Sequence, residues 1–251
     1  TTPNTFIATI GAIGMVGATP VFVDNDEQYN IDVAQIEKVI GPNTKAILPV
    51  HLTGNPADMP NVMDIASRHG LPVIEDCAQA ILASIDGVSV GSWGVTGSFS
   101  LHPLKNLNVW GDSGIIITKS EEIATKLRLL RNHGLANRDE VQILGHNSRL
   151  DSLQAVVANR LFNEVQQITD RRIKVAGYYD DAFADLNQFI TIPKRLPQVK
   201  QVYHTYVIRV IDRDKLLSYL IDKKIEAKIH YPIPLHLQGA MADLGYKRGD
   251  F

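Results

Sequence analysis

The sequence predicts an α/β protein. It has a three-layer, mostly parallel sheet domain over residues 1–150, then a connecting helix and a smaller α+β domain over residues 151–251. Three observations carry this. Short apolar runs alternate with amphipathic helical patterns through the first half. No proline occurs between Pro103 and Pro193, and the residues from Asp151 to Leu186 read as helix. After Pro197 the pattern becomes strand, helix, strand.

The elements follow in order. Val21-Phe22-Val23 is a β-branched and aromatic run ending at Asp24, read as a strand. A helix follows from Asp32, with Asp32 and Gln35 as a capping-box pair, Ile36, Val39 and Ile40 as its apolar face, and Gly41 as its stop. Ala46 to Val50 is the next strand. Pro60 marks a helix start, Val62, Ile65 and Ala66 face inward, and Gly70 closes the helix. Strands follow at Pro72 to Ile74, Val95 to Leu101 and Ile115 to Thr118. Ser120 caps a helix with Ile123, Leu127 and Leu130 at helical spacing. Residues 151–186 are long for one globular helix, so a break is expected there. The final unit reads as a strand from Tyr203 to Ile211, a helix from Asp212 to Asp222 and a strand from Ile225 to Ile229.

Composition excludes several classes. Hydrophobic residues make up 45% and charged residues 21% of the chain, so it is neither disordered nor collagen-like. Net charge is −2 with no basic stripe, which argues against a nucleic-acid partner. Cys77 is the only cysteine, so no internal disulfide can form, in keeping with a cytoplasmic protein. No apolar run approaches the ~18 residues that span a bilayer, and no signal-peptide pattern opens the chain. The chain begins Thr1-Thr2-Pro3 without methionine, as a fragment or processed product would.

In parallel sheets, ligands sit beyond the carboxyl ends of the strands. Asp76 and Gln79 follow the Val73 run, Ser100, His102 and Lys105 follow the Thr96 run, and His51 and Thr53 follow the Ala46 run. Asp76 reads either as a cap for the segment from Cys77 or as counter-charge for a buried cation such as a protonated pyridine nitrogen. Lys105 reads either as a solvated surface charge or as an amine nucleophile with a pKa lowered by desolvation. Other chemistries find less support. The eight histidines show no i, i+4 pairing around a glutamate, so no metal site is expected. No G-x-S-x-G elbow occurs, and Gly11-Ala12-Ile13-Gly14 has the wrong spacing for a dinucleotide loop.

Several segments taken together say more. VIEDCAQA (73–80), GSFSLHPLKNLNVWGDSGIIIT (97–118), LRNHGL (130–135), GHNSRLDSLQA (145–155) and IHYPIPLHLQ (229–238) occur in this order. The chain resembles the DegT/DnrJ/EryC1/StrS family from end to end, and NTFIATIGAIGMVGATPVFVD (4–24) matches that family's early strand–helix–strand region. The resemblance implies the fold type I aspartate aminotransferase architecture and a pyridoxal 5′-phosphate (PLP) enzyme that aminates a nucleotide-linked keto-sugar.

The resemblance also implies roles for individual residues. Lys105 matches the lysine that bonds covalently to PLP, and Asp76 the aspartate that keeps the pyridine nitrogen protonated. Gln79 matches the residue bonded to the ring hydroxyl, Phe6 an aromatic stacked on the ring, and Ser100 a hydroxyl on the phosphate. Asn147 matches an asparagine supplied to that phosphate across a homodimer interface. His102, Arg149, His230 and Tyr231 fall where relatives contact sugar or amino donor. Relatives with histidine at the lysine position are dehydratases, so Lys105 points to transamination, with L-glutamate as donor and alternation between PLP and PMP.

The HNSRLD and HYPIPLH runs look most like the 3-keto-sugar enzymes of surface-polysaccharide (lipopolysaccharide) or glycosylated-metabolite supply. The alternatives are an 8-oxo octulosonate-type acceptor or a non-transaminating, PLP-binding regulatory relative. Two departures are visible. The family's N-terminal Gly-Thr/Ser phosphate turn and the end of its small domain are absent, which implies a fragment. Leu101, Leu104 and Trp110 also differ from the usual lysine loop, which bears on the substrate subgroup.

Overall fold

A computed structural model describes residues 1–251. Helix α1 (Ile7–Met15) buries Thr9 and Ile10. The expected strand at Val21–Val23 is extended and inward-facing at Phe22 and Val23 but joins no ladder; the Val23 N–H is taken by the Thr1 carbonyl. Helix α2 (Val33–Val39) is capped by Asp32, whose carboxylate accepts from the Ala34 N–H and the Gln35 side-chain amide. The reciprocal half of a capping box is missing because the Asp32 N–H already donates to the Asp24 carbonyl. Helix α3 (Met59–His69) has Pro60 in its first turn and Gly70 in the left-handed conformation at its end, as expected; the structure adds Asp58 as its N-cap.

The central sheet holds β1 (Ile74–Asp76). Beyond it come a short hairpin of β2 (Ser84–Ile85) and β3 (Val88–Ser89), then β4 (Thr96–Ser100) and β5 (Gly114–Ile117). Strand β1 runs parallel to β4, and Ile47 and Val50 pair parallel to Val73 and Asp76 on its other side. Segment 47–50 is therefore the fourth member of the sheet. Pro49 has no N–H to donate, so its pairing is reduced to isolated bridges.

Strand β5 departs from expectation. It lies antiparallel to β4, and Ile115, Ile116 and Ile117 stay 38–52% exposed. The cause is the connection. Residues 101–113 form a loop that turns back at the end where β4 finishes, whereas a parallel partner needs a helical crossover to return to the other end. That loop carries Lys105. The sheet remains mostly parallel, with β5 as its antiparallel edge.

Helix α4 (Glu121–Leu130) has its Ser120 cap, but Ile123, Leu127 and Leu130 are only half-buried. The long helix breaks into α5 (Ser152–Phe162) and α6 (Val165–Phe183). At the break the Glu164 N–H bonds to Leu161, three residues back, and the Asn163 side chain takes the Asn159 carbonyl.

Beyond α6, β6 (Ile190–Thr191) pairs antiparallel with β8 (Arg209–Val210), ahead of α7 (Arg213–Asp222). Between them β7 (Val199–Lys200) joins β2 in the first half of the chain. The strand expected over 203–211 shrinks to Arg209–Val210. Residues 225–229 are not a strand, because nothing pairs with them and Ile225 is half-exposed.

The main core packs Val23, Ile31, Ile36, Ile47, Met59, Val62 and Val73 between the sheet and helices α2 and α3. A second cluster joins Leu101, Leu107 and Val109 of the lysine loop to Val165 of α6. The loop is thus anchored by apolar residues on both sides of Lys105. No helix is long and apolar enough to cross a membrane.

Candidate active site

Strand pleating decides which way the site residues point. Glu75 and Asp76 are neighbours on β1, so their side chains leave opposite faces. Asp76 ends the strand. One of its carboxylate oxygens accepts from the Ala78 N–H at 3.0 Å and the other from Thr9 Oγ1 of α1 at 2.7 Å. Thr9 Oγ1 is itself 3.0 Å from Thr5 Oγ1. Helix α1 thus orients the carboxylate without supplying a charge, leaving its anionic capacity for something else.

Glu75 points the other way and is fully buried. Its carboxylate accepts from the Gly91, Trp93 and Gly94 N–H groups at 2.6–2.8 Å and from His51 Nε2 at 3.1 Å. His51 Nδ1 accepts from the Ala57 N–H, so the ring proton sits on Nε2. Burial would raise the Glu75 carboxyl, but the hydrogen bonds from His51, Gly94 and Gly91 outweigh it and hold it below the usual carboxylate range. His51, Glu75 and Cys77 lie within 4.8 Å of one another. Their lone pairs are already committed, and burial pushes the Cys77 thiol far up. This trio is a strut beneath β1 rather than a cation site.

Lys105 is half-buried in the loop after β4. Its N–H bonds to the His102 carbonyl and its own carbonyl accepts from Asn108 Nδ2. Burial lowers its pKa, and the nearby Asp76 charge partly restores it. The neighbouring Asn106 is buried and donates to the Val202 carbonyl at 2.9 Å. That bond ties the lysine loop to the segment that carries His204.

Two neutral imidazoles adjoin the lysine. His204 is pushed down to about 3 by burial and then by the positive charges of Lys105 and Arg172. Burial, followed by Lys105, also lowers His230.

Gln79 is buried, with Oε1 accepting from the Thr53 N–H at 2.6 Å and Nε2 facing the Tyr231 hydroxyl at 3.3 Å. Phe6, at the start of α1, is 55% exposed, and its ring lies 6.4 Å from that of Tyr231. Ser100 ends β4; its Oγ accepts from the His102 N–H at 3.3 Å, which leaves the hydroxyl proton to be donated. His102 is half-exposed, 4.0 Å from the Asp112 carboxylate.

The structure therefore links Gln79 with Tyr231, and Tyr231 with Phe6 and His230, while Asp76 bears on Lys105 through its charge. Asn147 and Arg149 stand apart. Both are exposed, and Arg149 donates to Asn147 and Asn132 rather than to any other candidate. Thr9, Glu75 and His204 also shape the site, beyond the residues expected from the sequence. A charged residue inside a buried strand was the available signal for Glu75. Thr9 and His204 act through partners 67 and about 100 positions away, which spacing does not reveal.

These residues fit a planar, cationic heterocycle. A carboxylate with unused acceptor capacity, an amide N–H, an exposed aromatic face, a hydroxyl donor and an amine whose pKa burial lowers are all present. The sequence pattern of the DegT/DnrJ/EryC1/StrS aminotransferase family matches residues 1–251. The chain belongs to this family.

Among its members, a pleiotropic regulatory protein of Geobacillus stearothermophilus is 45% identical over 99% of this chain and 68% of its own length. The UDP-N-acetyl-3-dehydro-alpha-D-glucosamine 3-aminotransferase of Acidithiobacillus ferrooxidans is 46% identical over 95% of this chain and 64% of its own. The solved structure of Streptomyces venezuelae DesV, in complex with a ketimine intermediate, superposes with a TM-score of 0.96 at 38% identity. It covers all of this chain and 67% of DesV. The chain thus spans about two thirds of the length of these DegT/DnrJ/EryC1/StrS relatives.

Proposed function

We propose that this chain is the catalytic core of a PLP-dependent aminotransferase that moves an amino group from L-glutamate to a nucleotide-linked 3-keto sugar. The observation that carries the proposal is the setting of Asp76 and Lys105: a carboxylate at the end of β1 held only by neutral donors, Thr9 Oγ1 and the Ala78 N–H, whose charge acts on a desolvated amine. The 3-aminotransferase from A. ferrooxidans supports the choice of acceptor. On this reading residues 1–150 hold the cofactor, and residues 151–251 close over it and contact substrate.

When bound, PLP supplies an electron sink for the carbanion left at the donor's Cα. The chain's residues do the rest. Asp76, steadied by Thr9, holds the proton on the ring nitrogen. Gln79 Nε2 donates to the ring oxygen, Phe6 covers one ring face, and Ser100 donates to the phosphate. Lys105 Nζ, kept uncharged more easily by burial, accepts the proton leaving the donor's Cα and later returns one to the acceptor. His204 and His230, being neutral, do not add positive charge beside that amine. His102, His230 and Tyr231 line the substrate side.

Asn147 and Arg149 are read as serving the active site of a partner protomer in a homodimer, which accounts for their exposure here. The substrate class puts the enzyme in the cytoplasm, supplying amino-sugars for surface polysaccharides or glycosylated metabolites.

The test is turnover of a UDP-linked 3-keto sugar with L-glutamate, followed as 2-oxoglutarate and amino-sugar. Turnover that Lys105→Ala abolishes supports the proposal. Preference for a terminal-aldehyde octulosonate would reassign the acceptor, and PLP binding without any glutamate turnover would make the protein a regulatory relative.

A further inference from the structure

The Gln79 amide has two orientations, and only one presents an N–H to the ring oxygen of a bound cofactor. Nothing in glutamine itself chooses between them. The choice comes from Thr53, which precedes Gly54 in the turn after segment 47–50.

Thr53 has φ +60° and ψ 3°, the left-handed conformation that a β-branched residue rarely adopts. In that conformation its N–H projects at Gln79 Oε1, 2.6 Å away and buried. A backbone N–H can only donate, so the oxygen of the amide must face it, and Nε2 must face the cleft. Reversing the amide would set NH2 against N–H in a buried place.

The turn is held in this shape from three sides. Thr53 Oγ1 accepts from Gln201 Nε2 at 3.4 Å, and Gln201 Oε1 accepts from Arg195 at 3.1 Å. Arg195 is fixed by a two-point contact with Asp180 of α6. Gly54, at φ +85°, lies so close to Val202, the Gln79 carbonyl and His204 that a Cβ there would come within 2.7–3.1 Å of them.

We infer that Thr53 is a positioning residue: its backbone N–H locks the Gln79 amide with its donor toward the cofactor ring oxygen. This rests on the function proposed above, since it presumes a ring oxygen at that place. The threonine side chain is secondary, because the N–H and the left-handed backbone do the work. Glycine adopts that conformation without strain.

The test compares two versions of the intact protein that differ by one N–H. One is Thr53→Gly. The other has the same glycine joined through an ester in place of the Leu52–53 peptide bond, which deletes that N–H and weakens the Leu52 carbonyl only as an acceptor for the Asn55 N–H, outside the Gln79 contact. PLP affinity and the pH midpoint of the bound-cofactor absorbance are read for both. We expect Thr53→Gly to bind PLP within about twofold of the parent with an unchanged midpoint. The ester is expected to bind about tenfold more weakly, the weight of one hydrogen bond. Its midpoint should rise, because negative charge on the ring oxygen has lost its donor.

Equal affinity and midpoint in the ester and in Thr53→Gly would overturn the inference. So would a Thr53→Gly variant as impaired as the ester, because the side chain would then be the active element. If the parent itself fails to bind PLP, the function proposed above fails instead. Thermal melts of both variants report folding separately.

Discussion

Replacing Glu75 by glutamine probes the strut on which Asp76 stands. The parent carboxylate accepts four hydrogen bonds in a fully buried place, two at each oxygen. Glutamine keeps one oxygen, which can still serve Trp93 and Gly94. Its NH2 then faces the Gly91 N–H and His51 Nε2–H. His51 cannot move its proton to the other nitrogen, because Nδ1 is taken by the Ala57 N–H.

Two buried donors are left without acceptors. At about 1–3 kcal/mol each, the loss is about 2–6 kcal/mol. In urea this is a midpoint shift of about 1–3 M for a slope of about 2–3 kcal/mol per M.

The sign with pH follows from the depressed Glu75 carboxyl. Its contribution is fully present above the unfolded carboxylate value of about 4.3. It is lost as pH falls through the lower folded value. The parent and Glu75→Gln curves should therefore converge in acid. Urea denaturation at pH 7 and at several acid pH values measures this. A difference below about 0.5 kcal/mol at pH 7, or one that persists unchanged in acid, would refute the reasoning.

Two further outcomes follow. Gly54→Ala should destabilise the fold by about 2–4 kcal/mol, from left-handed backbone strain plus overpacking against Val202; a thermal melt within about 1 °C of the parent would contradict this. Mixing Lys105→Ala with Asn147→Ala subunits should restore part of the activity that each lacks alone, because Asn147 is proposed to act across the dimer. No recovery in mixed dimers confirmed by mass spectrometry would remove that role.

The parts of the fold set by local chemistry were legible in the sequence. Pro60 and Gly70 bracket α3, and Asp32 and Ser120 cap their helices, because caps are written in adjacent residues. What depends on distant partners was not. The run Ile115–Ile117 reads as a doubly covered parallel strand, yet its direction is set by the loop before it and its exposure by its place at the sheet edge. Residues 203–211 have strand-forming side chains but pair only where Ile190–Thr191 reach them.

The site divides in the same way. Asp76, Lys105 and Gln79 stand at strand ends, where chemistry is expected. Glu75 reads like a strand terminus until its four donors are seen. Thr53 stands just after the Ala46 run, but the part its N–H plays shows only in its backbone angle. Asn147 and Arg149 match family positions but meet no other candidate residue within one chain.

The most direct measurement is the visible absorption spectrum of the intact protein with PLP, before and after L-glutamate, beside Lys105→Ala. A long-wavelength band that forms in the parent, bleaches with glutamate and is missing in the variant is the result expected. A band that forms equally in Lys105→Ala, or no band in either protein, would contradict the assignment of Lys105 and with it the proposed chemistry.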